Sequence, residues 1–506
     1  VSEPAKECEI DLTGFASPMT EEREKTPKES KRIHDYAEEA LEELWHSPEG
    51  IPYATFAEAT GCMEHHPIYS GFFGKWLYLQ FYEKEKAPPS KNAVRDAKEM
   101  LASRAALKGA EREIFVRVAR LDSPARIYID LGWKTREVVE VTGEGWTIRS
   151  PEDIPVRFYG DALSGKLPRP VQGGKLERLR PFLNLDDHGF KLCTAWALAA
   201  LSGRGPYPIL VFSGEQGTAK STNSRTLKRL VDPSLGGVRG AIKDGQDLFI
   251  AAQTSHMLVL DNLSSIPDKL SDDLCRISTG GAWTGRKLYT SAEEVVLRAC
   301  RPLLLNGIPD LMSRGDLVDR ALPVHLEPLP AGKRLAEADL SVRLEDVLGE
   351  AFGGLLTALA CGLANWYNTN GFRDYRMADF VKFVCAAEPE LPWESGAFLE
   401  AYEAARHDMT LVTLEGDSFG LRLRDFLPPG NSWEGTFREL LGLLSRDLTP
   451  EERGEKWPQT AKGASTALRR SAPLLRQLGY TFEFSRRNGG NRDRLVRITA
   501  LPEEAS

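Results

Sequence analysis

The sequence contains no Cys-x-x-Cys pair. Its seven cysteines stand scattered at positions 8, 62, 193, 275, 300, 361 and 385. That pattern argues against a zinc ribbon and a disulfide scaffold and fits a reducing compartment, so a cytoplasmic location is expected. Cys62, His65 and His66 make half of a metal site with no second half nearby, and ordinary packing is expected for them. There is no run of about 18 apolar residues and no signal-peptide pattern, so no membrane contact is expected. A surplus of positive charge is also missing: 65 Lys and Arg face 73 Asp and Glu, for a net charge of −8. Any nucleic-acid surface must therefore be local. No internal repeat stands out. The remainder is ordinary for a globular chain, 42% hydrophobic and 27% charged over 506 residues, a length that suggests about three domains.

Residues 1–30 are polar and aperiodic and read as a flexible lead-in. KRIHDYAEEALEELWHS, 31–47, sets Ile33, Tyr36, Ala40, Leu41 and Leu44 on one helical face. PPSKNAVRDAKEMLASRAAL, 88–107, predicts a second helix opened by its proline pair. The period then changes to two, and EIFVRVARL, ARIYIDLG and REVVEVTGEGWTI read as strands. A small α+β domain over 31–165 and a linker over 166–180 are expected. Strands then alternate with helices over 181–334, which implies an α/β core with a mostly parallel sheet covered on both faces. Residues 335–430 have a helical pattern, and a small basic module occupies 431–506.

GEQGTAKS, 214–221, follows the apolar strand YPILVFSG and opens a helix. A phosphate loop needs backbone N–H groups aimed at phosphates, a lysine on the β- and γ-phosphates, and a hydroxyl on Mg²⁺. Gly214, Gly217, Lys220 and Ser221 match the spacing, with Glu215, Gln216, Thr218, Ala219 and Thr222 completing the cradle. Ala219 stands where a second glycine is usual, which is tolerated if that residue has helical φ. ATP with Mg²⁺ is the expected cofactor. Asp261 ends the apolar strand MLVLDN and is the expected water-mediated Mg²⁺ holder beside Ser221. Asn262 follows, where a glutamate would activate the attacking water. Asparagine can orient a water but cannot take its proton, so either hydrolysis is slow, or Asp272 or Asp273 serves, or positioning suffices. Asn306 ends a third strand, RPLLLNGI, and is placed to touch the γ-phosphate and the water. Arg320, in DLVDRAL, and Arg314 before it are candidates to reach a neighbouring subunit's nucleotide.

In this order and spacing, Gly214–Ser221, MLVLDN, LLLNG and DLVDRAL resemble the ATPase core of the AAA+ class. The order is similar to superfamily 3 helicases, including phage and poxvirus-type primase-helicases, and to the minichromosome-maintenance-like replicative helicases of bacterial mobile elements. The resemblance covers roughly residues 180–345 well. It implies an AAA+ P-loop core with a helical lid, subunits in a ring, usually a homo-hexamer, and nucleotide between them. Arg376 in the lid would then reach the γ-phosphate. Asn262 departs from the commonest pattern and puts the catalytic base in doubt.

Between the second and third strands, RKLYT and VVLRAC read as a hairpin around SAEE. In the resembling helicases such a hairpin points into the pore and grips single-stranded DNA, a role that would fall here to Arg286, Lys287 and Tyr289. The tip residues Glu293 and Glu294 are acidic, which is a departure. In the C-terminal module, WEGTFRELLGLLS and TAKGASTALRRSAPLLRQLG read as helices, and TFEFSRR with RDRLVRIT as a hairpin. Helices followed by a basic hairpin suggest a winged helix. From Lys462 to Ile498 nine basic residues face Glu483 and Asp493 alone, the electrostatic footprint of a nucleic-acid face. Lys462, Arg469 and Arg470 would line a groove, and the wing arginines Arg486, Arg487, Arg492 and Arg494 would hold phosphates.

The reading is an ATP-dependent, ring-forming DNA helicase serving replication of a phage or mobile element, with single-stranded or forked DNA as its partner. One alternative keeps the ATP site in a non-translocating ATPase: a helicase loader, an origin remodeller or a defence switch. A second is a DNA-binding regulator whose nucleotide site is structural.

Overall fold

The computed structural model describes residues 28–58, 61–159, 164–240, 242, 244–286, 294–307, 315–330, 332, 336–449, 453, 457–486 and 494–502. The chain divides into two compact units, one of residues 1–57 and 66–112 and one of residues 58–65 and 113–506.

In the first unit, helix Glu29–Ala40 ends sooner than its periodicity predicts, and Leu41–His46 is a strand. That strand pairs antiparallel with Pro52–Ala57 and parallel with Ala110–Glu111. Trp45 is buried, stacks on Tyr53 at 4.6 Å, and donates to Thr55. This cross-strand partner, invisible in a local window, overrides the helical spacing of Leu41 and Leu44. Helix Lys91–Lys108 forms as expected and is capped by Ser90, which accepts from the Ala93 N–H. His66 is buried and stacked on Phe72 and Phe56.

The alternating strands placed in the N-terminal domain belong instead to the second unit. β1 (Val118–Asp122), β2 (Ala125–Asp130), β3 (Val138–Thr142) and β4 (Gly145–Arg149) form an antiparallel meander. Its Val118, Ile127, Ile129, Val139 and Val141 share one core with α1 (Asp187–Leu201). The expected linker is packed as well. Leu167, Leu176 and Leu179 are buried, and the Val171 N–H donates to the Gly349 carbonyl.

The centre of this unit is a four-stranded parallel sheet. Its order is β6 (Leu258–Leu263), β9 (Leu303–Gly307), β5 (Ile209–Ser213), β10 (Ala321–His325). Side chains alternate between two cores: Leu210 and Phe212 join the cluster of α1, while Ile209 and Val211 face the opposite cluster. Both faces are thereby covered, as continuous apolar runs require. A hairpin of β7 (Gly281–Arg286) and β8 (Glu294–Ala299) precedes β9. The described part of its first strand is GAWTGR, with Trp283 packed against the core, and the expected strand residues 287–290 lie outside the described residues.

The helices α2 (Lys220–Val231), α3 (Gly245–Thr254) and α4 (Asp268–Thr279) lie between the strands in sequence, and the long α5 (Glu337–Asn365) packs against β3 and β4 of the meander. The segment Asp339–Asn365 is long enough to cross a membrane and contains an 18-residue window of mean hydropathy 1.7, but 67% of that window is buried inside the protein, as in a core helix. Two more follow, α6 (Ala378–Ala387) and α7 (Ala397–Glu415).

The C-terminal elements are α8 (Ser418–Phe426), β11 (Ser432–Thr436), α9 (Phe437–Leu444), α10 (Ala461–Gln477), β12 (Tyr480–Arg486) and β13 (Arg494–Ala500). The strands form one antiparallel sheet in the order β11-β13-β12. Two details differ from the expectation. The stretch SWEGT is a strand, and the helix starts only at Phe437, where Thr436 and Glu439 form a reciprocal capping box. The module also begins earlier, at α8, whose Phe419 and Leu423 share a core with Phe437, Leu440 and Leu468.

Candidate functional site

The chain leaves β5 at Ser213 and enters α2 at Lys220, so the loop lies at the C-terminal end of the parallel sheet, where α/β folds place ligands. Gly214 has φ 140°, and a Cβ there would lie 2.5 Å from the Leu326 carbonyl oxygen. Gly217 has φ 86°. Both conformations favour glycine. Ala219 does not have the helical φ expected of it: it is the left-handed N-cap of α2, at φ 65° and ψ 23°. The loop must reverse there to bring the Ala219 carbonyl under the Asn223 N–H at 2.9 Å. The position therefore has the geometry that glycine would fill without strain.

The Lys220 ammonium donates to the carbonyls of Gly214 and Glu215, each at 2.7 Å. Burial lowers its pKa, and the nearby Asp261 opposes that. The Ser221 hydroxyl donates to Asp261 Oδ1 at 3.0 Å. Fold and sheet order thus bring together two residues from separate strand-helix units, as the sequence reading expects. Glu215 and Gln216 are exposed, Thr218 is buried, and Thr222 is half-buried at the first turn of α2.

Asp261 and Asn262 sit in an irregularity of the β6–β9 pairing, between Leu260 and Leu263. Asn262 has φ 58°. Asparagine enters this region more readily than most residues, so the bulge itself favours it. Asn306 is 1% exposed and turned inward. Its Oδ1 accepts the Asn262 N–H at 2.7 Å, and its Nδ2 donates to the Ser224 hydroxyl at 3.1 Å. It braces the bulge against α2, and its amide is occupied by these partners. Asp273 is also buried, beside Gly245 at the start of α3.

Two residues of the site escape the sequence reading. Asn184 donates to the Thr218 carbonyl at 3.0 Å and to the Glu327 carbonyl at 2.8 Å, tying the loop to the end of β10. Asn223 exchanges two hydrogen bonds with the Asn184 backbone. The sole local signal is the asparagine just before the helix start LDD. A buried cluster anchors the other end of α2. Asp232 takes Arg117 Nε at 3.0 Å, Lys228 Nζ at 3.1 Å and the Met257 N–H at 2.9 Å. Burial alone would raise the Asp232 carboxyl, but Lys228 and Arg117 pull it well below the usual carboxylate range.

Arg320 follows the short helix Gly315–Val318 and donates to the Asp316 carbonyl at 2.6 Å. Arg376 departs from the expectation that it reaches the nucleotide loop. It pairs with Asp319 at 3.2 Å and lies 3.8 Å from Asp316, and none of its described ion pairs or hydrogen bonds reaches Gly214–Ser221. The carboxylates of the Arg320 turn capture it. The helices expected as a lid share the core of α1 and the meander. Arg314, Lys287, Tyr289, Arg487 and Arg492 lie outside the described residues, as do the side chains of Arg286, Arg486 and Arg494.

On α10, Lys462, Arg469, Arg470 and Arg476 are exposed while Ala464, Leu468 and Leu475 are buried. Arg469 lies over the Phe484 ring at 4.4 Å and Arg476 over Phe482 at 5.6 Å. Arg470 pairs with Asp417 at 3.4 Å. Arg497 is tied to Glu434 and Glu483, so part of the local charge surplus is neutralised on the sheet. Cys62 donates to the Thr135 carbonyl. Among the described residues the one group with metal-ligand spacing is buried His34 with half-buried Asp35 and exposed Glu38.

Comparison with known families places the chain in a class: both matched stretches are those of the replication protein of a mobile genetic element. Residues 175–411 match the family of the actinomycete integrative conjugative element replication protein, and residues 419–506 match the AICE RepA C-terminal domain. The second match begins at α8, where the structure starts the C-terminal module. No curated protein matches by sequence. Solved structures of the NrS-1 C-terminal region are similar at 12% identity. One covers 93% of this chain and 98% of its own with a TM-score of 0.39. Another covers 94% and 100% with a TM-score of 0.37. These likenesses are too distant to carry fold or function.

Proposed function

We propose that the chain is an ATP-dependent DNA helicase of the AAA+ class that acts in replication of its mobile element. The observation that carries this reading is the Ser221–Asp261 contact at 3.0 Å beside the loop Gly214–Ser221. The residues fit the expected cofactors. The loop Gly214–Ser221 stands before the first turn of α2, whose N-terminus favours anions, and the Ser221 hydroxyl beside the Asp261 carboxylate is the hard-oxygen set Mg²⁺ takes. Bound MgATP would supply the phosphoryl group whose transfer to water releases free energy. Lys220 and the loop amides would hold the β- and γ-phosphates, and Ser221 and Asp261 would hold Mg²⁺. Asn262 positions a water without accepting its proton. Asn306 keeps the bulge in place. Arg320 would stabilise charge at a neighbouring subunit's site in a ring, with Arg314 as its alternate. The β7–β8 hairpin, with Arg286, Lys287 and Tyr289, would grip single-stranded DNA, and the C-terminal module would act as a winged helix on DNA.

Asn262 favours a second reading, an ATPase switch that loads or remodels without translocating. ATP hydrolysis with and without single-stranded DNA, with Lys220→Ala as the blank, separates the two. Turnover that rises with DNA and vanishes in Lys220→Ala is the helicase result. Tight ATP binding without DNA-dependent turnover overturns the motor and leaves the switch.

A further inference from the structure

The last residue of α10, Gln477, donates from Nε2 to Asp319 Oδ1 at 2.8 Å. The other oxygen of the same carboxylate takes Arg376 at 3.2 Å. Asp319 directly precedes Arg320, and Arg320 and Arg376 both pair with Asp316, at 3.5 and 3.8 Å. On the far side, the buried Thr410 of α7 places its hydroxyl 2.6 Å from Gln477 Oε1. Helix α10 is also the helix whose exposed face carries Lys462, Arg469 and Arg470. One element therefore bears the basic face at its start and a hydrogen bond into the arginine turn at its end.

We infer that Asp319 is a positioning residue through which DNA held on α10 sets the rate of ATP turnover, with Gln477 as the contact that reports the position of α10. This rests on the function proposed above. Two carboxylates and two arginines make a locally neutral, half-exposed set whose arrangement depends on which donors reach Asp319. Gln477 supplies one of those donors and is itself fixed by Thr410. A hydrogen bond lasts only over a few tenths of an ångström around its optimum, so a small shift of α10 makes or breaks it. Losing it frees one Asp319 oxygen for Arg376 or Arg320 and redistributes both arginines. The 17 residues of α10 span about 25 Å, so the basic face and the arginine turn are separate places joined by one helix.

The test uses the full chain with Gln477→Leu, Gln477→Glu and Thr410→Val. ATP hydrolysis is measured with and without a single-stranded oligonucleotide, giving kcat and KM separately, and DNA affinity is measured by anisotropy. Gln477→Leu should keep the KM for ATP and DNA affinity, while the ratio of kcat with DNA to kcat without it falls at least about fivefold, the lower range of coupling between distinct sites. Gln477→Glu should lose more, because it sets a carboxylate against Asp319, and Thr410→Val less. Stimulation unchanged in both Gln477 variants overturns the coupling and leaves the ATPase reading standing. So does a proportional fall with and without DNA, which is the mark of a merely structural residue. Absence of Lys220-dependent turnover in the wild-type chain overturns the ATPase reading and the coupling with it.

Discussion

The side-chain oxygen of Asn306 accepts the backbone N–H of Asn262 at 2.7 Å, while its amide nitrogen donates to Ser224 at 3.1 Å. One buried amide thus joins the bulge after Asp261 to the helix that begins with Lys220. Asn306→Leu should cost roughly 1–3 kcal/mol for each polar group left unpaired. Urea unfolding reads the loss. A double-mutant cycle with Ser224→Ala should show a coupling of at least about 0.5 kcal/mol, and additive losses would contradict the contact.

Left-handed residues flank the site on both sides, Ala219 at φ 65° and Asn262 at φ 58°. A left-handed alanine costs about 1–2 kcal/mol relative to its helical conformation. Glycine removes that strain and gives back about 0.4–1 kcal/mol of unfolded-state entropy. Ala219→Gly should therefore raise stability by up to about 1.5 kcal/mol, and Ala219→Val should lower it, because a β-branched residue suits this region least. Asn262→Gly should be tolerated better than Asn262→Glu. Thermal melts of the four variants give the order.

The exposed arginines of α10 make a prediction about salt. If they contact phosphates, Arg469→Ala and Arg470→Ala each reduce the slope of log affinity against log salt by about one. The weakening should be uniform across DNA sequences. An unchanged slope would assign Arg469 to its stacking on Phe484 and Arg470 to its pairing with Asp417.

His256 predicts a pH dependence of stability. It is buried, with Nε2 2.7 Å from the Ala200 carbonyl. Burial, helped by the Arg301 charge, pushes its pKa down from 6.5 to about 4, against the pull of Asp232. Above pH 6.5 the ring is neutral in both states, and its contribution to stability is fully present. As pH falls from 6.5 towards 4, the unfolded chain takes up the proton first and that stability is lost. The full loss corresponds to roughly 3 kcal/mol by linkage. Urea unfolding between pH 7 and pH 4.5 should show it, and His256→Phe should flatten the slope in that window.

Much of the site was legible because its groups are close in sequence. Gly214, Gly217, Lys220 and Ser221 lie within one turn of backbone, and Asp261 and Asn306 end apolar runs that must be strands. Their meeting follows from the parallel sheet, as the pairing of Ser221 with Asp261 shows. Arg376 pairs with Asp319 and lies near Asp316, and nothing local reveals that these carboxylates would compete for it. The bracing asparagines Asn184 and Asn223 were missed for the same reason. Their partners are backbone atoms brought near by folding.

By itself the sequence determined the loop, the apolar strands that carry the acid and the polar residue, and the segregation of positive charge in the last 45 residues or so. These depend on spacing and composition, which act over one element at a time. Only the tertiary structure decided the rest. It made Leu41–His46 a strand through the partner Pro52–Ala57. It moved the meander into the core of the second unit and turned Ala219 left-handed. It also set Gln477 on Asp319, 158 residues away. In each case the partner is distant in the chain. A residue's hydrogen-bond and packing partners are then chosen by the fold's whole arrangement, and they outweigh the few tenths of a kcal/mol that local propensity offers.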